Sequence, residues 1–251
     1  MMSLLYNEHY KLAGKKSIRL SFLIMPLFIC VLPFFFSRLI KATGGNVIDF
    51  MSVITNFLII IVFLAIGLAG SILANEFQSG TVKLLLIRPR TRAMVLFAKW
   101  LTVQLYGIYL LISTFILSWI VGGIIYGFGA GFGLMFQKVL LAYGITFLEL
   151  MLISTFTYAV STVFKNSAFS IGIGIAALLG GKLVTEVAEL MELPFGKILL
   201  FANTQWDQYL FGNTPILPGM TIGFSVIILV MHFIFFYGVA WFFFAKRDVT
   251  V

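Results

Sequence analysis

Two histidines, one cysteine and nine carboxylates are what this sequence offers for metal or covalent chemistry. His9 and His232 are far apart, and neither has a second ligand in helical register, which excludes an HExxH zinc site. Cys30 is the single cysteine, so an intrachain disulfide and a multi-cysteine metal site are both excluded. Within its apolar run it reads as a small buried hydrophobe. No GxSxG nucleophile elbow is present. A GxxxxGK[ST] phosphate loop is missing as well, so the chain cannot hydrolyse ATP by that route. Gly180-Gly181-Lys182 and Gly196-Lys197 lack the preceding spacing. Gly127, Gly129, Gly131 and Gly133 alternate with Phe128, Ala130 and Phe132, which reads as a flexible bend and not as a dinucleotide fingerprint. The expectation is a non-enzyme that binds no metal and no cofactor of its own.

Two ionisable groups sit inside long apolar stretches. Glu149 lies near the middle of one, where a charge costs roughly 2.5–3.5 kcal/mol and must be paired, protonated or turned toward water. It is either a functional group or a carboxyl hydrogen-bonded to a neighbouring helix. His232, in the last stretch, reads as a packing histidine. Small residues also recur at helical spacing. Gly67 and Ser71 form one pair, and Ser170, Gly172, Gly174 and Ala176 form two more; such pairs let helices approach closely.

The elements that must carry these groups follow from composition. Of the 251 residues, 61% are hydrophobic and only 10% charged, against about 45–50% and about 25% in soluble domains. The expectation is an all-α integral membrane protein. Six stretches reach the roughly 20 apolar residues that a span needs: residues 20–37, 51–74, 93–120, 139–164, 168–184 and 221–245. Pro26 and Pro33 should kink the first. Residues 1–16 read as an amphipathic surface helix, with Ser3 as its N-cap and Leu4, Leu5 and Leu12 among polar residues. Residues 185–220 form the longest loop, whose first residues could continue the fifth helix; Trp206 and Tyr209 suit an interface belt. The whole chain is one membrane domain.

Six spans put both termini on one side. That side holds twelve Lys and Arg against three acids, and the remainder holds five against six. The asymmetry assigns the basic side, with both termini, to the cytoplasm of a cell-membrane protein. The net charge of +8 is then a topology signal, helped by anionic membrane lipid, and not a nucleic-acid footprint.

The most informative loop is Asn75 to Arg92. Gly80 can end the second span in a left-handed conformation, and Ser79 or Thr81 can cap a new helix. Pro89 disfavours helix at Arg88, which leaves about two turns over residues 81–87, and Thr91 can cap the third span. Such a helix suits a groove on a cytoplasmic partner; a basic anchor loop without a partner is the plainer alternative. Written out, Glu76, Gly80, Thr81, Leu85, Leu86, Pro89, Thr91, Arg92 and Lys99 give E-x₃-G-T-x₃-L-L-x₂-P-x-T-R-x₆-K. This resembles the loop after the second span of ABC-2 type transporter permeases, most closely small six-span permeases of bacterial peptide and antibiotic efflux or immunity systems. Glu8-His9-Tyr10-Lys11-Leu12, ahead of the first span, is similar to their surface helix. Arg90 stands where that family often has a small apolar residue.

The resemblance implies a permease subunit of an ATP-binding-cassette exporter. It would pair with a second permease copy, identical or a sister chain, and with two cytoplasmic P-loop ATPase subunits that bind ATP and magnesium. The residues of this loop motif would couple the permease to the ATPase, with Glu76 pairing to Arg92 or Arg90. Family permeases line their path with the second and fifth spans, so Gly67, Ser71, Gly172 and Gly174 are path candidates, and Glu149, within the fourth span, is a further one. An amphipathic peptide, antibiotic or lipid-like cargo suits the apolar spans. Three other readings stand beside it: an ABC-2 permease exporting a small ion, an ion- or proton-coupled carrier using Glu149, and a membrane subunit that binds a partner and moves nothing.

Overall fold

A computed structural model describes residues 2–42, 44–80, 91–129 and 133–246, whose regular structure is helical throughout, with no strand among the described residues. In chain order the α-helices are α1 (Met2–Gly14), α2 (Lys16–Ala42), α3 (Val47–Thr55), α4 (Ile59–Ile72), α5 (Ala74–Gln78), α6 (Arg92–Tyr126), α7 (Leu134–Phe164), α8 (Ser167–Leu190), α9 (Leu200–Thr204) and α10 (Ile222–Ala245). Among the described residues, six stretches are long and apolar enough to cross a membrane. They are Lys16–Arg38, Ile59–Gln78, Arg92–Tyr126, Leu134–Phe164, Ser167–Leu190 and Ile222–Ala245. The chain is an all-α membrane protein with six candidate spans. At 1.5 Å per residue α6 and α7 are about 50 and about 45 Å long, well beyond a hydrocarbon core of about 30 Å. They must tilt or project from the bilayer.

The apolar run at 51–74 is not one helix. Asn46 caps α3 by accepting from the Ile48 amide, and Asp49 accepts from the Asn46 amide, both at 2.8 Å. α3 ends at Thr55, a turn follows, and α4 begins at Ile59. Hydropathy registers the apolar side chains and misses this turn. Two other expectations shift, those for Ser3 and Cys30. Ser3 lies within α1, which begins at Met2, so it is not the cap. α2 is a single helix through Pro26 and Pro33, with the Tyr126 hydroxyl donating to the Pro33 carbonyl at 3.4 Å. Cys30 is exposed and not the buried hydrophobe expected.

α4 runs through the centre, with Ile61, Val62, Ala65, Ile66 and Ala69 fully buried. It packs against α6, α7 and α8. The close approach is made by Gly70 and Gly174. A Cβ at Gly70 would lie 2.6 Å from Ile171 Cγ1, and one at Gly174 would lie 2.8 Å from Ile66 Cγ2 and closer still to Thr157 Oγ1. Gly67 and Gly172, by contrast, have open space at their Cβ positions. α6 and α7 share a polar seam. Trp100 Nε1 donates to Thr155 Oγ1 at 2.8 Å, Gln104 Nε2 to Ser154 Oγ at 3.0 Å, and the Tyr158 hydroxyl to the Leu96 carbonyl at 3.0 Å. α8 runs on to Leu190, as its sequence allows. The loop beyond folds back onto the bundle. In it Asn203, Thr204 and Gln208 are buried, and Asn203 accepts from Ser225 of α10 at 2.8 Å.

Candidate functional site

Four segments meet where α1, the end of α5, the start of α6 and the end of α10 converge. On α1 the buried stripe is Leu4, Glu8 and Leu12, one residue per turn, so the helix turns a carboxylate inward with its leucines. α5 brings Glu76 to the same place and ends at Gln78, and Gly80, just past its cap Ser79, has the left-handed φ of 70° expected of a glycine there. Thr91 caps α6 through the Met94 amide at 3.4 Å. Two turns later Lys99 enters the cluster, with only 1% of its surface exposed.

The Lys99 ammonium donates to Glu8 Oε2 at 2.9 Å and to Glu76 Oε1 at 2.7 Å. Lys11, half exposed, lies farther off, 3.5 Å from Glu8 Oε1 and 3.4 Å from Glu76 Oε1. A buried ammonium has three donors and no acceptor, so two carboxylates are the natural complement. One buried cation therefore ties α1, α5 and α6 together. Lys15, between α1 and α2, feels the crowding: burial first, and then repulsion from Lys99, push its pKa below the usual lysine value.

The same end of the bundle is closed by aromatic and terminal contacts. Lys165 Nζ lies 5.6 Å from the centroid of the Phe77 ring, and Phe77 meets Phe244 edge-on at 6.4 Å. Arg92 Nη1 donates to the Ala245 carbonyl at 3.1 Å, where a cation complements the C-terminus of α10.

The structure thus brings together Glu76, Gly80, Thr91, Arg92 and Lys99. Thr81, Leu85, Leu86 and Pro89, with Arg90 and the helix expected at 81–87, lie outside the described residues. Glu76 takes cations from α1 and α6, Lys11 and Lys99; of the two arginines expected to pair with it, Arg90 lies outside the described residues. Sequence reading also missed that Glu8 is buried. The signal was there, since Glu8 shares the i, i+4, i+8 face of Leu4 and Leu12.

Glu149 is buried, as its position requires, and paired: Lys182 Nζ of α8 lies 2.9 Å from its Oε2, and Thr204 of α9 donates to Oε1 at 3.5 Å. His232 Nδ1 lies 2.8 Å from the Ile228 carbonyl, a bond within its own helix, as a packing histidine would make. Among the described residues no three His, Cys, Asp or Glu side chains are grouped to hold a metal ion.

Residues 14–250 match the family described as a protein of unknown function, DUF2705. The chain belongs to this family. It is 33% identical to the uncharacterized membrane protein YdbK of Bacillus subtilis strain 168, over 96% of this chain and 100% of that protein. It is 35% identical to the uncharacterized protein YhcI of the same organism, over 83% of this chain and 71% of that one. α1, with Glu8, is almost entirely ahead of the residues matched to the family.

Proposed function

We propose that this chain is the permease subunit of an ATP-binding-cassette exporter of the ABC-2 type. Both termini and the 75–92 loop face the cytoplasm, where the basic residues concentrate. A separate P-loop ATPase supplies the energy, two copies of it serving a pair of permease chains in the cell membrane. The cargo is an amphipathic peptide, antibiotic or lipid-like molecule.

The observation that carries this reading is the buried Glu8–Lys99–Glu76 bridge. The segment from Gly80 to Thr91 leaves α5 and re-enters α6, and Lys99 braces the helices on both sides of it. A push on that segment is then passed to α4, α5 and α6 as a unit, with α1 fastened alongside. Such a brace suits a site where an ATPase subunit must move membrane helices.

Two variants test the coupling. Glu76→Ala and Gly80→Val should abolish export while the permease–ATPase complex still forms. Copurification in mild detergent, with mass spectrometry of the bound proteins, reads assembly. Unchanged export in either variant, or no P-loop ATPase recovered even after gentle crosslinking, would refute the proposal. The buried Glu149–Lys182 pair favours a second reading, a proton- or ion-coupled carrier. Transport that ignores ATP and fails in Glu149→Gln would select it.

A further inference from the structure

A cavity of about 490 Å³ opens between the α3–α4 turn, α7, α8 and the loop that follows α8. Its depth follows from α7. Lys138 lies in the second turn of that helix, and Glu149 is eleven residues further on, about 16 Å along the axis. Lys138 directly precedes the apolar run 139–164, so with Lys138 at headgroup level and a hydrocarbon core of about 30 Å the cavity would reach near mid-membrane.

Four charged groups line it: Lys138, Glu149, Lys182 and Asp207. At the deep end Glu149 and Lys182 neutralise one another at 2.9 Å, so the floor demands no net charge of an occupant. At the rim the charges stay separate. Among the described residues neither Lys138 nor Asp207 makes an ion pair, and both are exposed. Lys138 Nζ lies 5.4 Å from the centroid of the Phe211 ring. Phe211 is held at a φ of 58°, beside Gly212 at 80°. A bulky aromatic residue rarely accepts that left-handed conformation, and such strain gathers at ligand sites. Between rim and floor, Ile59, Leu141 and Ile145 supply an apolar wall.

One unspent cation and one unspent anion at headgroup level, above an apolar wall, complement a zwitterion that carries an apolar tail. We propose that this cavity binds an amphiphile with an amine-and-phosphate head, the amine at Asp207, the phosphate at Lys138 and the tail along Ile59 and Ile145. The site stands apart from the exporter proposal, because binding needs no ATPase and no transport.

The test uses the full chain, purified in a neutral maltoside detergent, with native mass spectrometry counting retained ligand. The probes are short-chain phosphatidylethanolamine, short-chain phosphatidylglycerol and water-soluble glycerophosphoethanolamine. Phosphatidylethanolamine should bind about tenfold more tightly than phosphatidylglycerol, the scale set by one good charge contact. Asp207→Ala should remove most of that preference, and Lys138→Ala should weaken both lipids alike, since both carry the phosphate; both residues are exposed, so the fold should survive. If glycerophosphoethanolamine binds as well as the lipid, the tail contributes nothing, the occupant comes from the water phase and the amphiphile proposal falls; if only the lipid binds, the occupant comes from the bilayer as proposed. Equal binding of the two lipids by the unaltered chain overturns the proposal whether or not the variants fold. Full retention of the preference in Asp207→Ala, or unchanged binding of both lipids in Lys138→Ala, overturns it too.

Discussion

Lys99→Met is the most informative single change in this molecule. The ammonium is 1% exposed and holds two carboxylates, Glu8 at 2.9 Å and Glu76 at 2.7 Å, whose side chains are 8% and 15% exposed. Methionine fills much the same space, so the loss is one of charge and not of volume. It takes the buried ammonium away from two carboxylates and leaves Lys11, at 3.5 and 3.4 Å and 53% exposed, as a far weaker complement. Removing one partner of a buried ion pair costs about 3–5 kcal/mol, because the remaining charge stays buried and uncompensated. Lys11→Ala removes an exposed partner and should cost about 0–1 kcal/mol. For a chain of this size each kcal/mol moves the midpoint by about 2–4 °C. Lys99→Met should therefore lower the midpoint by about 6–20 °C, several times the effect of Lys11→Ala. The assay is thermal unfolding in mild detergent at fixed scan rate, since membrane proteins rarely refold after heating. Adding Glu8→Gln and Glu76→Gln to Lys99→Met should recover a large part of the loss, because the desolvated charges go with it. Equal shifts for Lys99→Met and Lys11→Ala would refute the reasoning, as would a triple variant less stable than the single one.

Two further predictions follow from packing and charge. Gly174→Ala should destabilise by about 1–3 kcal/mol through its clash with Thr157 and Ile66, whereas Gly172→Ala, with open space at its Cβ, should cost nothing in the same thermal assay. Lys15→Gln should stabilise at neutral pH. Burial and Lys99 lower the Lys15 pKa from its ordinary 10.5. Between the folded value and 10.5 the unfolded chain binds more protons, so native stability rises with pH there, and the ammonium's cost is complete below the folded value. The advantage of Lys15→Gln should shrink as pH climbs toward 10.5, and midpoints measured at neutral and alkaline pH would check it.

The sequence alone determined what depends on neighbouring residues. Hydropathy located all six candidate spans, because burying apolar side chains in a bilayer is a property of about twenty consecutive residues. Local backbone chemistry was equally legible: Gly80 leaves α5 left-handed, and Thr91 caps α6, since both effects act within one turn. The α3–α4 turn was hidden, because a short turn through apolar residues leaves mean hydropathy unchanged. Rotational phase was hidden as well. Gly67 and Gly70 are both small, and only the packing of α8 decides that Gly70 meets Ile171 while Gly67 meets nothing. The charge cluster depended wholly on tertiary structure. Lys99 reaches Glu76 across 23 residues and Glu8 across 91, and no local rule pairs charges at such separations. What brings them together is the docking of α1 on the bundle, where a carboxylate carried inward with its leucines must find a cation.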